Sequence, residues 1–180
     1  MARLFGPFFA LAVILLDQLT KYTATELLFR PTLEQGPPMT FMDWLMHAPE
    51  RLGPCVLVIS SFFNLSMVWN TGISFGFLGN DLLGQYSNLI ITVVTVAISG
   101  IFIIWMSRSL KIPEIIALAL IVGGALGNVI DRVRFGAVID YLDFHWNGWH
   151  FPAFNIADAS ISIGVAILII HGLFFAKETD

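Results

Sequence analysis

The sequence predicts an all-α membrane protein, with four transmembrane helices and a small extramembrane β-containing cap between helices 1 and 2. Three observations predict it. Hydrophobic residues make up 57% of the chain and charged residues only 12%, with a mean hydropathy of +0.80, far from the balance of a soluble domain. The stretches Leu82–Ser107, Ile115–Ile130 and Ala159–Ala176 carry no charge and approach or exceed the roughly 20 apolar residues a spanning helix needs. A fourth, shorter apolar run, Leu4–Leu16, opens the chain.

Helix 1 is expected at about 4–22. Arg3 followed by an apolar run imitates a signal peptide, but no small-x-small cleavage site follows. Asp17, Lys21 and Tyr22 instead extend a plausible helix, so the segment is read as retained. The cap, about 23–81, is broken by Pro31, Gly36-Pro37-Pro38, Pro49 and Gly53-Pro54 and cannot be one helix. From Val56 to Gly79 it mixes β-branched and aromatic residues with Asn and Gly, the composition of short strands. Helix 2 is placed at about 83–107 and helix 3 at about 113–131, with Pro113 suited to a first helical turn. The short link around Arg108 and Lys111 makes these two antiparallel. Residues 132–152 are read as an interfacial loop, whose Trp146 and Trp149 favour the membrane–water boundary, as does Trp105. Helix 4 closes a single integral membrane domain at about 153–176. Positive charges near the helix ends tie, with Arg3, Arg108, Lys111 and Lys177 on one side and Lys21, Arg30, Arg132 and Arg134 on the other. Charge alone therefore assigns no orientation.

The formal charge of −4 is small and dispersed, which argues against a nucleic-acid partner. The lone Cys55 excludes an intrachain disulfide and a cysteine-rich metal cluster. Asp140, Asp143, His145 and His150 include metal-ligating residue types without diagnostic spacing, and a solvated interfacial loop explains them as well.

A carboxylate at the centre of a spanning helix costs roughly 2.5 to 3.5 kcal/mol, so polar groups at that depth call for an explanation. Asn128-Val129-Ile130-Asp131 and Asn155-Ile156-Ala157-Asp158 repeat one N-x-x-D pattern, whose i, i+3 spacing places amide and carboxylate on one helical face. Asp140 is a third acid, in the connection between the two motifs. Paired carboxylates in a poorly solvated site share one proton. The ionised partner can then activate water while the protonated partner donates to a carbonyl, which is what amide hydrolysis requires. Equally, these acids could satisfy helix ends or pair with Arg132 and Arg134. The spacing alone draws attention to Asp131 with Asp158. Gly123, Gly124 and Gly127, and Ser160 with Gly164, suit close helix packing. Asp17 and Lys21, at i, i+4, suit mutual neutralisation. Gly72-Ile73-Ser74-Phe75-Gly76 is a literal G-x-S-x-G, but the strand-turn-helix context of a nucleophile elbow is missing. A serine–histidine pair of Ser74 with His171 is disfavoured, because His171 lies about 20 Å from Asp158 along helix 4.

Five segments in order, Asp17-Gln18-Leu19-Thr20-Lys21, Asn70-Thr71-Gly72 with Phe75, Gly123-Gly124-Ala125-Leu126-Gly127-Asn128 with Asp131-Arg132, Val138-Ile139-Asp140 and Phe154-Asn155-Ile156-Ala157-Asp158, closely resemble those of lipoprotein signal peptidase, or signal peptidase II. The resemblance implies a membrane aspartyl peptidase of the bacterial inner membrane, a multi-pass protein with both termini cytoplasmic and the active site toward the periplasmic or outer face. It implies cleavage of prolipoproteins before a diacylglyceryl-modified cysteine, by a monomer among membrane lipids and without a cofactor or metal. It makes Asp140 and Asp158 the catalytic pair and Asp131 a supporting residue, paired with Arg132 or a neighbour. Asp17, Lys21, Asn70, Gly72, Asn128, Arg132, Asn155 and Ala157 become substrate-binding or supporting positions. Two departures stand out: a longer segment at about Leu33 to Pro54, and Ile73 where the family usually has a small residue. The competing readings are a small proton-coupled transporter or channel, and a non-enzymatic lipid-binding or assembly factor.

Overall fold

The computed structural model describes residues 2–72 and 81–175. Ile73, Ser74, Phe75 and Lys177, singled out above, lie outside the described residues. Helix α1 spans Ala2–Tyr22, and the helical path then widens into a π-helical stretch, Thr23–Phe29, before a last turn, α2, at Arg30–Thr32. Sequence reading ends this helix at about residue 22. Within the extension the threonine hydroxyls are satisfied along the helix, those of Thr23, Thr25 and Thr32 bonding the carbonyls of Leu19, Lys21 and Leu28 at 2.9, 2.9 and 2.8 Å. Such back-bonding bends helices without ending them, and Pro31 stands in the first turn of α2, where no N–H is required.

Then follow α3 (Phe41–Met46), β1 (Val56–Val58), β2 (Phe63–Asn70), α4 (Asp81–Arg108), α5 (Ile112–Phe135), β3 (Val138–Trp146), β4 (Trp149–His150) and α6 (Ile156–Phe175). Three helical segments, Tyr86–Arg108, Ile112–Phe135 and Ile156–Phe174, are long and apolar enough to cross a membrane. The strands form one antiparallel sheet in the order β1-β2-β3-β4. The cap is therefore not confined to the stretch between the first two long helices, because half of its strands come from residues read as an interfacial loop. Val138 to Asp140 continue the sheet against Asn70 to Val68, and Asn147 and Gly148 adopt positive φ angles of 49° and 80°. Those angles are what a two-residue hairpin turn demands.

The chain divides into two compact units, the division falling within α1, α4 and α5. One comprises α1 as far as Asp17, Thr92–Val129 and α6. Its core is Ala10, Met106, Ile115, Leu118, Ala119 and Val122. Close backbone approach requires glycine here. A methyl group at Gly123 would stand 2.7 Å from the Ala10 carbonyl oxygen, and one at Gly124 would collide with that of Ala157. In lipid, such approach replaces the hydrophobic drive that water provides elsewhere. Outward-facing Val93, Ile101, Ile163 and Leu173 are more than half exposed, as apolar side chains are when lipid is the solvent.

The other unit comprises Gln18–Ile91 and Ile130–Asn155. The lengthened segment packs within it. Thr40 caps α3, its hydroxyl accepting the Asp43 N–H at 3.2 Å. Trp44, 1% exposed, meets the rings of Tyr22 and Phe135 at 5.8 and 6.1 Å. Arg134 covers Trp44 at 4.2 Å and also donates to its carbonyl. Arg51 donates twice to the Phe135 carbonyl, and Trp69 donates to the Leu52 carbonyl at 2.9 Å. The buried Glu26 takes two hydrogen bonds from Arg30, at 2.7 and 2.9 Å, and the Met39 N–H at 3.0 Å. These contacts tie residues 39–52 to the helical extension, the end of α5 and β2.

Candidate active site

Asp140 lies on β3, opposite Val68, and is 2% exposed. Each of its oxygens accepts an amide proton. Asn155 Nδ2 donates to Oδ1 at 2.8 Å and Asn70 Nδ2 to Oδ2 at 2.9 Å. Neither amide is free to turn over. Asn70 Oδ1 accepts the Gly72 N–H at 2.9 Å, and Asn155 Nδ2 also reaches the Ile139 carbonyl at 3.2 Å. Gly72 has φ +78°, so the turn that orients Asn70 is a glycine position.

Asp131 is fully buried and binds three groups of its own unit. Its Oδ2 is ion-paired with Lys21 Nζ at 2.7 Å and accepts the Ile139 N–H at 3.1 Å, while Oδ1 accepts Gln18 Nε2 at 3.0 Å. Lys21, at i, i+4 from Asp17, thus also serves Asp131. The carboxylate of α5 in turn holds the backbone residue immediately before Asp140. Arg132, half-buried, offers its carbonyl to Asn88 Nδ2 at 3.3 Å. Gln18 escaped the sequence reading as a member of this group, although it lies one turn before Lys21 and Tyr22 on the same face of α1.

In the other unit, Asp158 stands in the first turn of α6 and its Oδ1 accepts Asn128 Nδ2 at 2.8 Å. Asp17, fully buried, accepts the Ala157 N–H at 3.1 Å. The printed bonds thus leave the motifs: Asn128 donates to Asp158 of the second motif, and Asn155 donates to Asp140, which belongs to neither.

Asp143, also on β3, belongs to a separate cluster. Its carboxylate accepts Asn64 Nδ2 at 3.2 Å and the Ser66 hydroxyl at 2.9 Å, and meets His150 Nδ1 at 2.8 Å. The His145 ring stacks on His150 with centroids 5.0 Å apart. Among the described residues no group of His, Cys, Asp or Glu is arranged to hold a metal ion. Burial pushes the Asp143 carboxyl up, but hydrogen bonds from His150, Ser66 and Asn64, with the His150 charge, outweigh it and hold the carboxyl below its ordinary value. The sign follows from linkage. A depressed carboxyl stabilises the folded state above the unfolded pKa, near 3.8, and that contribution disappears as pH falls through the lower folded value. Acid titration below the ordinary carboxylate range, followed by Trp146 and Trp149 fluorescence, is expected to loosen the β3–β4 hairpin in wild type. Asp143→Asn should already show the loosened signal at neutral pH. Identical profiles for the two proteins would refute this account.

Residues 9–174 fit the sequence model of the family described as Signal peptidase (SPase) II. The chain is 37% identical to the lipoprotein signal peptidase of Coxiella burnetii (strain RSA 493 / Nine Mile phase I) over 92% of its own length and 87% of the relative's. It is 40% identical to that of Polynucleobacter necessarius subsp. necessarius (strain STIR1) over 89% and 83%. A bacterial membrane enzyme solved at 1.9 Å by the in meso method superposes with a TM-score of 0.68 at 28% identity, over 97% of this chain and 94% of that one. With such a match along nearly the whole sequence, the chain belongs to the signal peptidase II family.

Proposed function

We propose that this signal peptidase, which removes the signal peptide from prolipoproteins, works by aspartyl chemistry with Asp140 and Asp158 as the catalytic pair. The observation that carries the reading is that Asp140 and Asp158 each accept an asparagine amide at 2.8 Å, from Asn155 and Asn128 respectively. Amide donors fix the rotation of each carboxylate, on both oxygens of Asp140 and on Oδ1 of Asp158, and leave the remaining lone pairs, or a proton, for chemistry. One acid, ionised, takes a proton from the attacking water. The other, protonated, donates to the scissile carbonyl oxygen, and the departing amine of the cysteine is then protonated. Asp131, Lys21, Asn70, Gly72, Arg132, Asp17 and Ala157 are supporting positions in this reading.

Lipid anchoring of the substrate suits the scheme. Each buried methylene of a diacylglyceryl chain contributes about 0.8 kcal/mol to membrane retention, so the enzyme meets its substrate by lateral diffusion at a fixed depth. We place the enzyme in the bacterial inner membrane as a monomer, with α1 as the fourth span, both termini cytoplasmic and the acids toward the outer face. Residues 39–52 clamp the peptide and exclude water in this reading, as active-site lids do. The family match leaves the proton-coupled transporter reading without support.

The test is cleavage of a synthetic prolipoprotein peptide by purified protein, with and without diacylglycerol on its cysteine, and with Asp158→Asn alongside. Turnover of the lipidated peptide alone, lost in Asp158→Asn and unaffected by a strong chelator, is the expected result. Cleavage by Asp158→Asn at the wild-type rate, or chelator-sensitive cleavage, would reject the aspartyl mechanism.

A further inference from the structure

Gly123 and Gly124 face backbone carbonyl oxygens, whereas Gly127, the next glycine along α5, faces a carboxylate. A methyl group at Gly127 would lie 2.6 Å from Asp17 Oδ2 and 3.1 Å from its Cγ. The first is closer than a carbon atom tolerates, and the second is tight enough that the carboxylate must give way. Asp17 is fully buried, and its other oxygen accepts the Ala157 N–H at 3.1 Å. Ala157 is the second residue of α6 and directly precedes Asp158. Its N–H is one of the first-turn donors that have no partner inside a helix, and a carboxylate is the acceptor the positive end of the helix favours.

Residues 127 and 128 thus act on neighbouring parts of one target. Asn128 holds the Asp158 side chain through Oδ1 at 2.8 Å. Gly127 leaves the space in which Asp17 holds the backbone one residue earlier. Ala157 is itself fully buried, so the first turn of α6 has little room to settle elsewhere. We propose that Gly127 is a positioning residue for Asp158: its missing side chain admits the Asp17 carboxylate that fixes the first turn of α6. This rests on the reading of Asp158 as catalytic. Its chemical content is that a single methyl group on α5, touching no substrate, displaces an acceptor and thereby the acid.

The experiment is steady-state kinetics on the lipidated peptide with the full chain, comparing wild type, Gly127→Ala, Asp17→Ala, Asp17→Asn, the double variant Gly127→Ala/Asp17→Ala, and Asp158→Asn. Misplacement of a reacting group by about 1 Å can cost roughly 100-fold. Gly127→Ala should therefore lose about tenfold to 100-fold in kcat at near wild-type KM. The double variant should lose no more than the worse single variant, because the methyl then displaces a carboxylate already absent. Asp17→Asn, which keeps an oxygen acceptor, should recover most of the kcat that Asp17→Ala loses. If Gly127→Ala does not fold, the two Asp17 variants decide, and equal kcat in them overturns the proposal. So does wild-type kcat in folded Gly127→Ala, or multiplied losses in the double variant, when Asp158→Asn is inactive. An active Asp158→Asn instead refutes the aspartyl reading beneath it.

Discussion

Asp140→Asn is expected to lower turnover of a lipidated prolipoprotein peptide by about 1,000-fold or more, within the range that loss of general acid–base catalysis produces and equal to about 4 kcal/mol of transition-state stabilisation. Chemistry is only part of the argument. Both Asp140 oxygens accept amide protons, from Asn155 and Asn70 at 2.8 and 2.9 Å. An asparagine at 140 has one oxygen and one NH2 group, so one of those donors would face another donor. Asn70 cannot turn its oxygen inward without abandoning the Gly72 N–H, nor can Asn155 without abandoning the Ile139 carbonyl. A buried mismatch of this kind costs about 1 to 3 kcal/mol of stability. The variant should thus be both inactive and modestly less stable, and turnover must be scaled to folded protein. Circular dichroism and thermal unfolding supply that scale. Folded Asp140→Asn that retains a tenth of wild-type turnover would remove Asp140 from the catalytic pair.

The same geometry explains what the sequence could and could not reveal. Apolar runs from Leu82, Ile115 and Ala159 marked the three long helices because lipid removes any need for a polar face. The N-x-x-D repeats singled out Asn128 and Asn155 and set each beside the acid of its own motif. Spacing along one helix reports neighbours at i, i+3, whereas the 2.8 Å contacts of Asn128 and Asn155 run to residues 30 and 15 positions away. Sheet pairing is likewise non-local. β3 reads as a loop because its residues alternate poorly, with Val138 to Tyr141 all buried, yet Asn147-Gly148 is a strong short-range hairpin signal. The 33–54 segment stood out in the sequence. Its purpose did not, because Trp44, Arg51 and Leu52 find their partners at Phe135 and Trp69 only in the folded unit.

Lys21→Met should be the most destabilising of the conservative-volume substitutions. Lys21 and Asp131 are both fully buried and lie 2.7 Å apart. Taking two charges out of water is expensive, and their attraction offsets that cost only while both are present. Removing the lysine leaves Asp131 with two hydrogen bonds, from Gln18 and the Ile139 N–H, and with the half-buried Arg134 as its remaining counter-charge. A broken buried pair typically costs about 3 to 5 kcal/mol, to be read as a fall in thermal stability in a fixed detergent. The double variant Lys21→Met/Asp131→Asn removes the Asp131 charge as well, so it should recover a substantial part of that loss. Such recovery is the signature of a coupled pair rather than two independent packing sites. Turnover should not recover in parallel. An asparagine at 131 has one acceptor oxygen where the carboxylate has two, one for the Ile139 N–H and one for Gln18 Nε2, and Ile139 is the backbone anchor beside Asp140. Stability restored without activity would separate the two duties of Asp131, balancing a buried lysine and aiming β3. Lys21→Met within about 1 kcal/mol of wild type would mean that the pair is solvated in the working enzyme and that β3 is held by its strand pairing and the two asparagines.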